Sequence, residues 1–198
     1  MRQYYNQVNE TELIQGLCEH DEAAFRYLVE EYRNKVYSTM VNILQDQEEA
    51  EDGAQEVFIQ VFESIRSFKN ESLLSTWIYR ITARKALDKL RRRKTRMRIQ
   101  TLLPWWMPQE KHKAGTFYHP GATLEHKEKM AALFQAMKTL PERQRIALTL
   151  IRIQGMSYEE ATEVMELSVK AIESLVSRGK ENLEKQLKKN KQSKSRLN

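Results

Sequence analysis

The sequence predicts an all-α protein made of two small helical domains joined by a flexible linker. Glycine and proline are scarce, at 6 and 4 of 198 residues. Apolar residues recur at helical spacing on both sides of one breaker-rich stretch. No segment shows the alternating pattern of a strand. The predicted first domain covers residues 1–97, the linker 98–123, the second domain 124–189 and a basic tail 190–198.

Two helices are predicted at the start of the first domain. The first follows an N-cap at Asn9 or Thr11, because apolar residues then recur every three or four positions. The second follows Asp21, another residue that commonly caps helices, and its apolar stripe continues to Leu44. These two helices supply the first half of the predicted core.

Two further helices complete the first domain. The third is predicted from Glu48 to Phe68, and the fourth begins near Ser72 or Ser75 and ends in basic residues. The predicted inner face of the third helix consists of Val57, Phe58, Val61, Phe62 and Ile65. The predicted apolar side of the fourth helix consists of Leu74, Trp77, Ile78 and Ile81.

The second domain is predicted to end in a helix-turn-helix. Helices are expected near 124–139 and 141–154, followed by two short ones. Ser157 with Glu160 forms a capping box, and Ser168 caps the last helix after a tight turn. The second helix of such a pair can enter a major groove of DNA. An ordinary packed helical bundle would use the same spacing, so the pattern alone leaves both readings open.

Composition limits the classes of function. The formal net charge of +6 and the pI near 9.3 point to an anionic partner, either nucleic acid or an acidic membrane surface. No window approaches the ~18 apolar residues of a membrane helix, and residues 1–12 do not resemble a signal peptide. The only cysteine, Cys18, cannot form an internal disulfide. We therefore expect a soluble, cytoplasmic protein.

Charge is segregated along the first domain. Six acids and no cation lie between Asp46 and Glu56, whereas nine cations and one acid lie between Arg84 and Arg98. The basic run suits contact with phosphates, although it could also be a solvated helix end that complements the helix dipole. The acidic run suits docking to a basic protein surface, or is an ordinary acidic helix start.

The sequence lacks recognisable catalytic machinery. It contains no glycine-rich phosphate loop, no nucleophile elbow and no zinc-protease motif. Its four histidines are scattered, at positions 20, 112, 119 and 126, so no metal site is predicted. We expect neither enzymatic activity, nor a cofactor, nor a small-molecule substrate.

Four motifs give the chain a family resemblance. In order, they are Asp-Glu-Ala-Ala-Phe (21–25), Glu-Ala-Glu-Asp-Gly-Ala-Gln-Glu-Val-Phe (49–58), Ser-Thr-Trp-Ile-Tyr-Arg-Ile (75–81) with Leu-Asp-Lys-Leu-Arg-Arg-Arg (87–93), and Leu-Pro-Glu-Arg-Gln-Arg (140–145). With this order and spacing the chain resembles the group IV, or extracytoplasmic function, sigma factors of bacterial RNA polymerase. The resemblance implies a two-domain initiation factor that binds core polymerase and directs it to promoters.

The resemblance also implies which residues bind polymerase and the minus-ten element. The segment that meets the clamp helices of the beta-prime subunit corresponds to Asp52, Gln55, Glu56, Phe58 and Ile59. The base pocket of the minus-ten element corresponds to Asn70, Glu71, Ser72 and Leu73. The residues that face the separated strand correspond to Tyr79, Arg80, Arg84 and Asp88. Arg91, Arg92 and Arg93 of the basic run are further candidates for binding the minus-ten DNA. A basic groove with aromatic or polar platforms is what holds a single strand.

The last helix is expected to read the minus-thirty-five element. Its candidate contacts are Ser168, Lys170, Glu173, Ser174, Ser177, Arg178 and Lys180. This sequence departs from the family here, because Glu173 and Leu175 stand at usually basic positions and Glu166 replaces the usual turn glycine. In the first domain, Arg84 replaces a common asparagine. Glu173 would either accept from a cytosine amino group or repel phosphate.

Partners follow from the same resemblance. They are core RNA polymerase, through its beta-prime clamp helices and its beta subunit, promoter DNA, and an anti-sigma factor that could hold the chain at the inner membrane. In holoenzyme the chain would associate with the nucleoid. Two alternatives remain open: a polymerase-binding protein without initiation activity, and an ordinary helix-turn-helix regulator.

Overall fold

The computed structural model describes residues 9–102 and 124–195, with side chains over 9–98 and 130–190. These ranges are helical and contain no strand, which confirms the all-α prediction. No helix in them is long and apolar enough to cross a membrane. The aromatic part of the predicted linker, with Trp105 and Trp106, lies outside the described residues.

The first domain contains four helices, as predicted. They are α1 (Glu10–Cys18), α2 (Glu22–Leu44), α3 (Gln47–Ser64) and α4 (Leu74–Leu102), with a 3-10 turn at Ile65–Ser67. Capping fixes their starts: Asn9 accepts from the Thr11 N–H, and Asp21 from the Ala23 N–H. Asp46 caps α3 by accepting from the Glu49 N–H at 3.0 Å.

The core of the first domain lies between α2, α3 and α4. Leu28, Met40, Val57 and Ile78 are fully buried there. The predicted inner face of the third helix was wrong at one position, because the side chain of Phe62 is 41% exposed. The third helix also ends at Ser64 rather than Phe68, since the chain tightens into the 3-10 turn.

The second domain contains the predicted helix-turn-helix. Its elements are α5 (Leu124–Lys138), α6 (Glu142–Leu148), a π-helical turn (Thr149–Ile153), α7 (Tyr158–Met165) and α8 (Val169–Ser195). The capping box at the start of α7 is present, with Ser157 and Glu160 bonded in both directions. Ser168 also accepts from the Ala171 N–H, at the start of α8.

Three expectations for this domain were wrong. Pro141 is the N-cap of α6 and not a first-turn residue. The helix expected over 141–154 changes at Leu148 into the π-helical turn. The last helix is 27 residues long and not short, because the lysine, glutamate and glutamine residues after Lys180 are strong helix formers. It therefore continues through most of the predicted tail.

Arg145 is a buried cation that ties α6 to the end of α5. Its side chain is 6% exposed, and its Nη1 donates to the carbonyl oxygens of Lys138 and Leu140, both at 3.4 Å. Burial lowers the pKa of this guanidinium. The arginine thus satisfies carbonyl groups that the end of α5 leaves without helical partners.

Replacing Arg145 with alanine is expected to lower the free energy of unfolding by about 1–2 kcal/mol, because buried carbonyl groups lose their donor. Chemical denaturation followed by circular dichroism measures this. Arg143→Ala is the matched control, since Arg143 is exposed on the same helix. Equal effects of the two substitutions would contradict a structural role for Arg145.

The two domains pack directly against each other. α4 contacts α7, and α2 contacts α6 and the π-helical turn. Ile146 and Val164 of the second domain are 1% and 4% exposed and belong to the same hydrophobic cluster as Ile78. The tether predicted from sequence therefore joins two domains that share apolar surface.

Candidate nucleic-acid and protein interfaces

The acidic and basic segments of the first domain lie side by side in the structure. Helix α3 begins with the acidic residues, which suit the positive end of its dipole. The basic half of α4 runs alongside it. A groove between them is lined by Asp46, Glu48, Glu49, Asp52, Lys89, Arg92, Arg93 and Arg96.

Ion pairs join α3 and α4 along this side of the domain. Lys89 donates to Glu56 at 2.9 Å, and Lys85 lies 3.8 Å from the same carboxylate. The hydrogen bond from Lys89 is the main effect that lowers the pKa of Glu56. Arg93 lies 3.9 Å from Glu49. The acidic and basic surfaces therefore partly neutralise each other and are not independent.

The predicted polymerase-binding residues divide into exposed and inward-facing ones. Asp52, Gln55 and Ile59 are exposed on one face of α3, and Ile59 keeps 57% of its surface accessible. Glu56 is engaged by the two lysines, and Phe58 packs half-buried against the core. Asp52, Gln55 and Ile59 are therefore the members of this predicted set that remain exposed.

The four residues predicted to form the base pocket lie in the loop before α4. Asn70 adopts a left-handed backbone conformation with φ of 58°, which asparagine tolerates better than most residues. Leu73 is 53% exposed. The Leu74 N–H donates to the Glu10 carboxylate at 2.7 Å, so α1 fixes where this loop meets α4.

The remaining minus-ten candidates lie on two sides of α4. Arg92 and Arg93 border the acidic groove, whereas Tyr79, Arg80 and Arg84 face the second domain. The last two members of this set, Asp88 and Arg91, are exposed and form an ion pair with each other at 3.2 Å. The structure thus does not unite this set on one open surface.

Contacts with the second domain engage three of these side chains directly. The Tyr79 hydroxyl is hydrogen-bonded to Gln154 Oε1 at 3.1 Å, and the residue is 7% exposed. Burial raises the pKa of Tyr79. Arg80 Nε donates to the Glu163 carbonyl oxygen at 2.8 Å, and Arg84 forms an ion pair with Glu166.

The minus-thirty-five candidates share the exposed side of the first half of α8. This set consists of Ser168, Lys170, Glu173, Ser174, Ser177, Arg178 and Lys180. Arg178 Nε donates to the Ser174 carbonyl oxygen, while Lys170 and Lys180 project into solvent. Helix α8 therefore presents both cations and the carboxylate of Glu173 to any ligand.

Glu166 ends α7 in a left-handed conformation, with φ of 55°. A residue other than glycine costs about 1 kcal/mol there. Glu166 thus occupies a backbone conformation that glycine adopts without strain. Gly155 is the one glycine with positive φ among the described residues, and it precedes α7 instead.

Comparison with known families identifies the fold. The model of Sigma-70 region 2 matches residues 28–96, and that of Sigma-70 region 4 matches residues 130–183. The RNA polymerase sigma-H factor of Pseudomonas aeruginosa is 31% identical over 183 residues, 91% of this chain and 95% of that protein. The chain belongs to the extracytoplasmic function sigma factors. It is a sigma factor for transcription initiation.

Other relatives agree with this assignment. The ECF RNA polymerase sigma factor SigW of Bacillus subtilis is 28% identical, covering 88% of this chain and 94% of SigW. The sigma factor RpoE from Bartonella quintana, solved in complex with the anti-sigma factor NepR, is similar in fold. Its TM-score is 0.68 at 22% identity, over 83% of this chain and 96% of that one. The structure of CnrH in complex with the cytosolic domain of CnrY gives a TM-score of 0.65 at 20% identity, over 90% and 97% of the two chains.

Sequence reasoning missed two residues that position these surfaces. Glu10 caps the start of α4 from 64 residues away, and no local pattern reveals such a contact. Gly179 lies within α8, where a Cβ atom would come within 2.9 Å of Leu148 Cδ1. A glycine inside a helical pattern is a visible signal, since it indicates a close approach.

Proposed function

We propose that this sigma factor binds core RNA polymerase through α3, engages a melted minus-ten element through α4 and its preceding loop, and reads the minus-thirty-five element with α8. The observation that carries the proposal is the presence of both sigma regions, in order, on a chain that aligns over 91% of its length with one relative. The protein acts in the cytoplasm, without catalytic activity of its own.

The exposed face of α3 suits the polymerase contact. Asp52 and Gln55 supply polar groups, and Ile59 adds apolar surface that is removed from water when a partner binds. The clamp helices of the beta-prime subunit are the proposed partner, and the beta subunit contacts the remainder of the factor.

The loop at 70–73 suits capture of an unstacked base. The Asn70 backbone is left-handed, and the bond from the Leu74 N–H to Glu10 fixes the end of the loop at α4. Leu73 offers exposed apolar surface and Glu71 is exposed in the same loop. A loop that presents polar and apolar groups can bind a base that has left the stack, which stabilises strand opening.

Helix α8 suits a major groove because its exposed side is long and carries lysine and arginine. Lys170, Arg178 and Lys180 supply phosphate or base contacts. Glu173 reduces the positive charge, so specificity depends on whether a cytosine lies opposite it. An anti-sigma factor is a proposed partner, and it could hold the protein at the inner membrane.

A polymerase-binding protein without promoter selection is the second candidate, favoured by Glu173 and Leu175 on the recognition helix. Adding the purified chain to core polymerase and promoter-bearing genomic DNA separates the candidates. Transcripts that start at defined positions support the sigma factor. Binding to core without defined starts supports the second candidate. Failure to bind core leaves only a helix-turn-helix regulator.

Replacing Asp52 with arginine is expected to weaken binding to core polymerase roughly tenfold, or about 1.4 kcal/mol, because it reverses charge at the centre of the docking face. Competition for core polymerase against a fluorescent copy of the wild-type chain measures this. Glu30→Arg is the matched control, since Glu30 is exposed on α2, outside the proposed face. Equal weakening by both variants would place the contact elsewhere.

A further inference from the structure

The second domain covers the side of α4 assigned to the separated strand. Tyr79, Arg80 and Arg84 each direct their polar group to α7 or to the π-helical turn. Gln154, which accepts from the Tyr79 hydroxyl, also donates to Ser38 on α2 at 3.4 Å. While these contacts hold, the Tyr79 hydroxyl and the Arg80 Nε are not available to a nucleic-acid strand.

Apolar packing accompanies these polar contacts. A groove between the domains brings Ala83 and Leu87 of α4 together with Ile146, Val164 and Met165 of the second domain. Ile146 and Val164 are nearly fully buried and belong to the same apolar cluster as Ile78, so the contact between the domains helps to remove their side chains from water. The contact between the two domains is therefore stabilised by apolar packing as well as by surface charge.

An ion pair joins the two domains at this interface. Arg84 of α4 is paired with Glu166, the residue that ends α7. Glu166 holds a left-handed conformation that glycine adopts without strain. The carboxylate of this strained residue is paired with the guanidinium of Arg84.

We propose that the Arg84–Glu166 pair is a latch that holds the second domain over the strand-binding side of α4, so that the free factor is self-blocked. That the covered side of α4 binds DNA rests on the proposed function, whereas the contact between the two domains does not. Binding of core polymerase would separate the domains and release Tyr79 and Arg80 for DNA. The partner of this surface in the free protein is the chain's own second domain.

The latch is weak enough to open. The side chains of Arg84 and Glu166 are 61% and 62% exposed, so solvent and salt screen their attraction. Inter-domain contacts of mixed polar and apolar character resemble transient interfaces. Loss of the pair should therefore raise the open population by roughly two- to fivefold.

Distance measurement between spin labels tests the closed state. Nitroxides are attached at Lys69→Cys and Lys188→Cys in a Cys18→Ala background, since both lysines are exposed and lie in different domains. Glu166→Gln should increase the population at long distances two- to fivefold. Glu159→Gln is the matched control, because Glu159 is exposed on the same helix. The charge-swapped pair Arg84→Glu with Glu166→Arg should restore the short distance. An unchanged distribution in Glu166→Gln overturns the latch and leaves the proposed function intact.

Binding of single-stranded DNA tests whether the second domain blocks the strand-binding side of α4. Without polymerase, a fluorescein-labelled single-stranded oligonucleotide of mixed sequence should bind Glu166→Gln two- to fivefold more tightly than Glu159→Gln, which has the same net charge. Glu166→Gly serves as a second variant, because glycine keeps the left-handed turn without strain. Opening without tighter binding overturns the blocking and counts against the assignment of this side of α4 to DNA. Opening with tighter binding supports both.

Discussion

Replacing Arg92 and Arg93 with glutamate is expected to weaken the affinity of the holoenzyme for promoter DNA by roughly ten- to a hundredfold at moderate salt. Both guanidinium groups lie along the groove beside α3 and would neutralise backbone phosphates. Each lost phosphate contact lowers the slope of log affinity against log salt by about 0.9, so the slope should fall by about two. Fluorescence anisotropy over a salt series measures both quantities.

This experiment must distinguish the effect of net charge from the effect of where the charges lie. Arg26→Glu with Lys35→Glu gives the same change of net charge on α2, where both cations already pair with glutamates at 2.6 Å. Because Arg93 lies 3.9 Å from Glu49, Arg92→Gln with Arg93→Gln is added to remove the charges without creating repulsion. Equal slopes in all three proteins would show that these arginines do not contact DNA.

Local signals explain why the helices could be predicted. Side-chain caps at Asn9, Asp21 and Ser157 stand one residue before the helix that each begins. Such a cap depends on residues within three positions, which the sequence displays directly. The length of α8 escaped prediction because its charged second half carries little apolar periodicity, although its residues favour helix.

Contacts between distant residues explain what could not be predicted. The pairs Arg84 with Glu166 and Tyr79 with Gln154 join residues 82 and 75 positions apart. No local pattern links either residue to its partner, and only the packing of α4 on the second domain brings the partners together. The segments that carry the candidate residues could therefore be predicted from the sequence. The packing of the second domain over α4 could not.

Replacing Gly179 with leucine is expected to lower the free energy of unfolding by about 3 kcal/mol, at the upper end of the cost of overpacking. Glycine inside a helix normally costs about 1 kcal/mol relative to alanine, so its presence in α8 requires a compensating contact. A Cβ atom there would lie 2.9 Å from Leu148 Cδ1 and 3.1 Å from Cγ, so α6 and α8 could no longer pack as they do. Urea denaturation followed by circular dichroism measures the loss.

The same substitution should separate the functions of the two domains. Displacing α8 from Leu148 moves Arg178 and Lys180 relative to the rest of the helix-turn-helix, whereas the docking face on α3 belongs to the other domain. Gly179→Leu should therefore retain core binding at low temperature and lose duplex binding at the minus-thirty-five element. Glu184→Leu, at an exposed position of the same helix, should affect neither. Loss of core binding in the folded Gly179→Leu protein would show that the second domain also carries an essential polymerase contact.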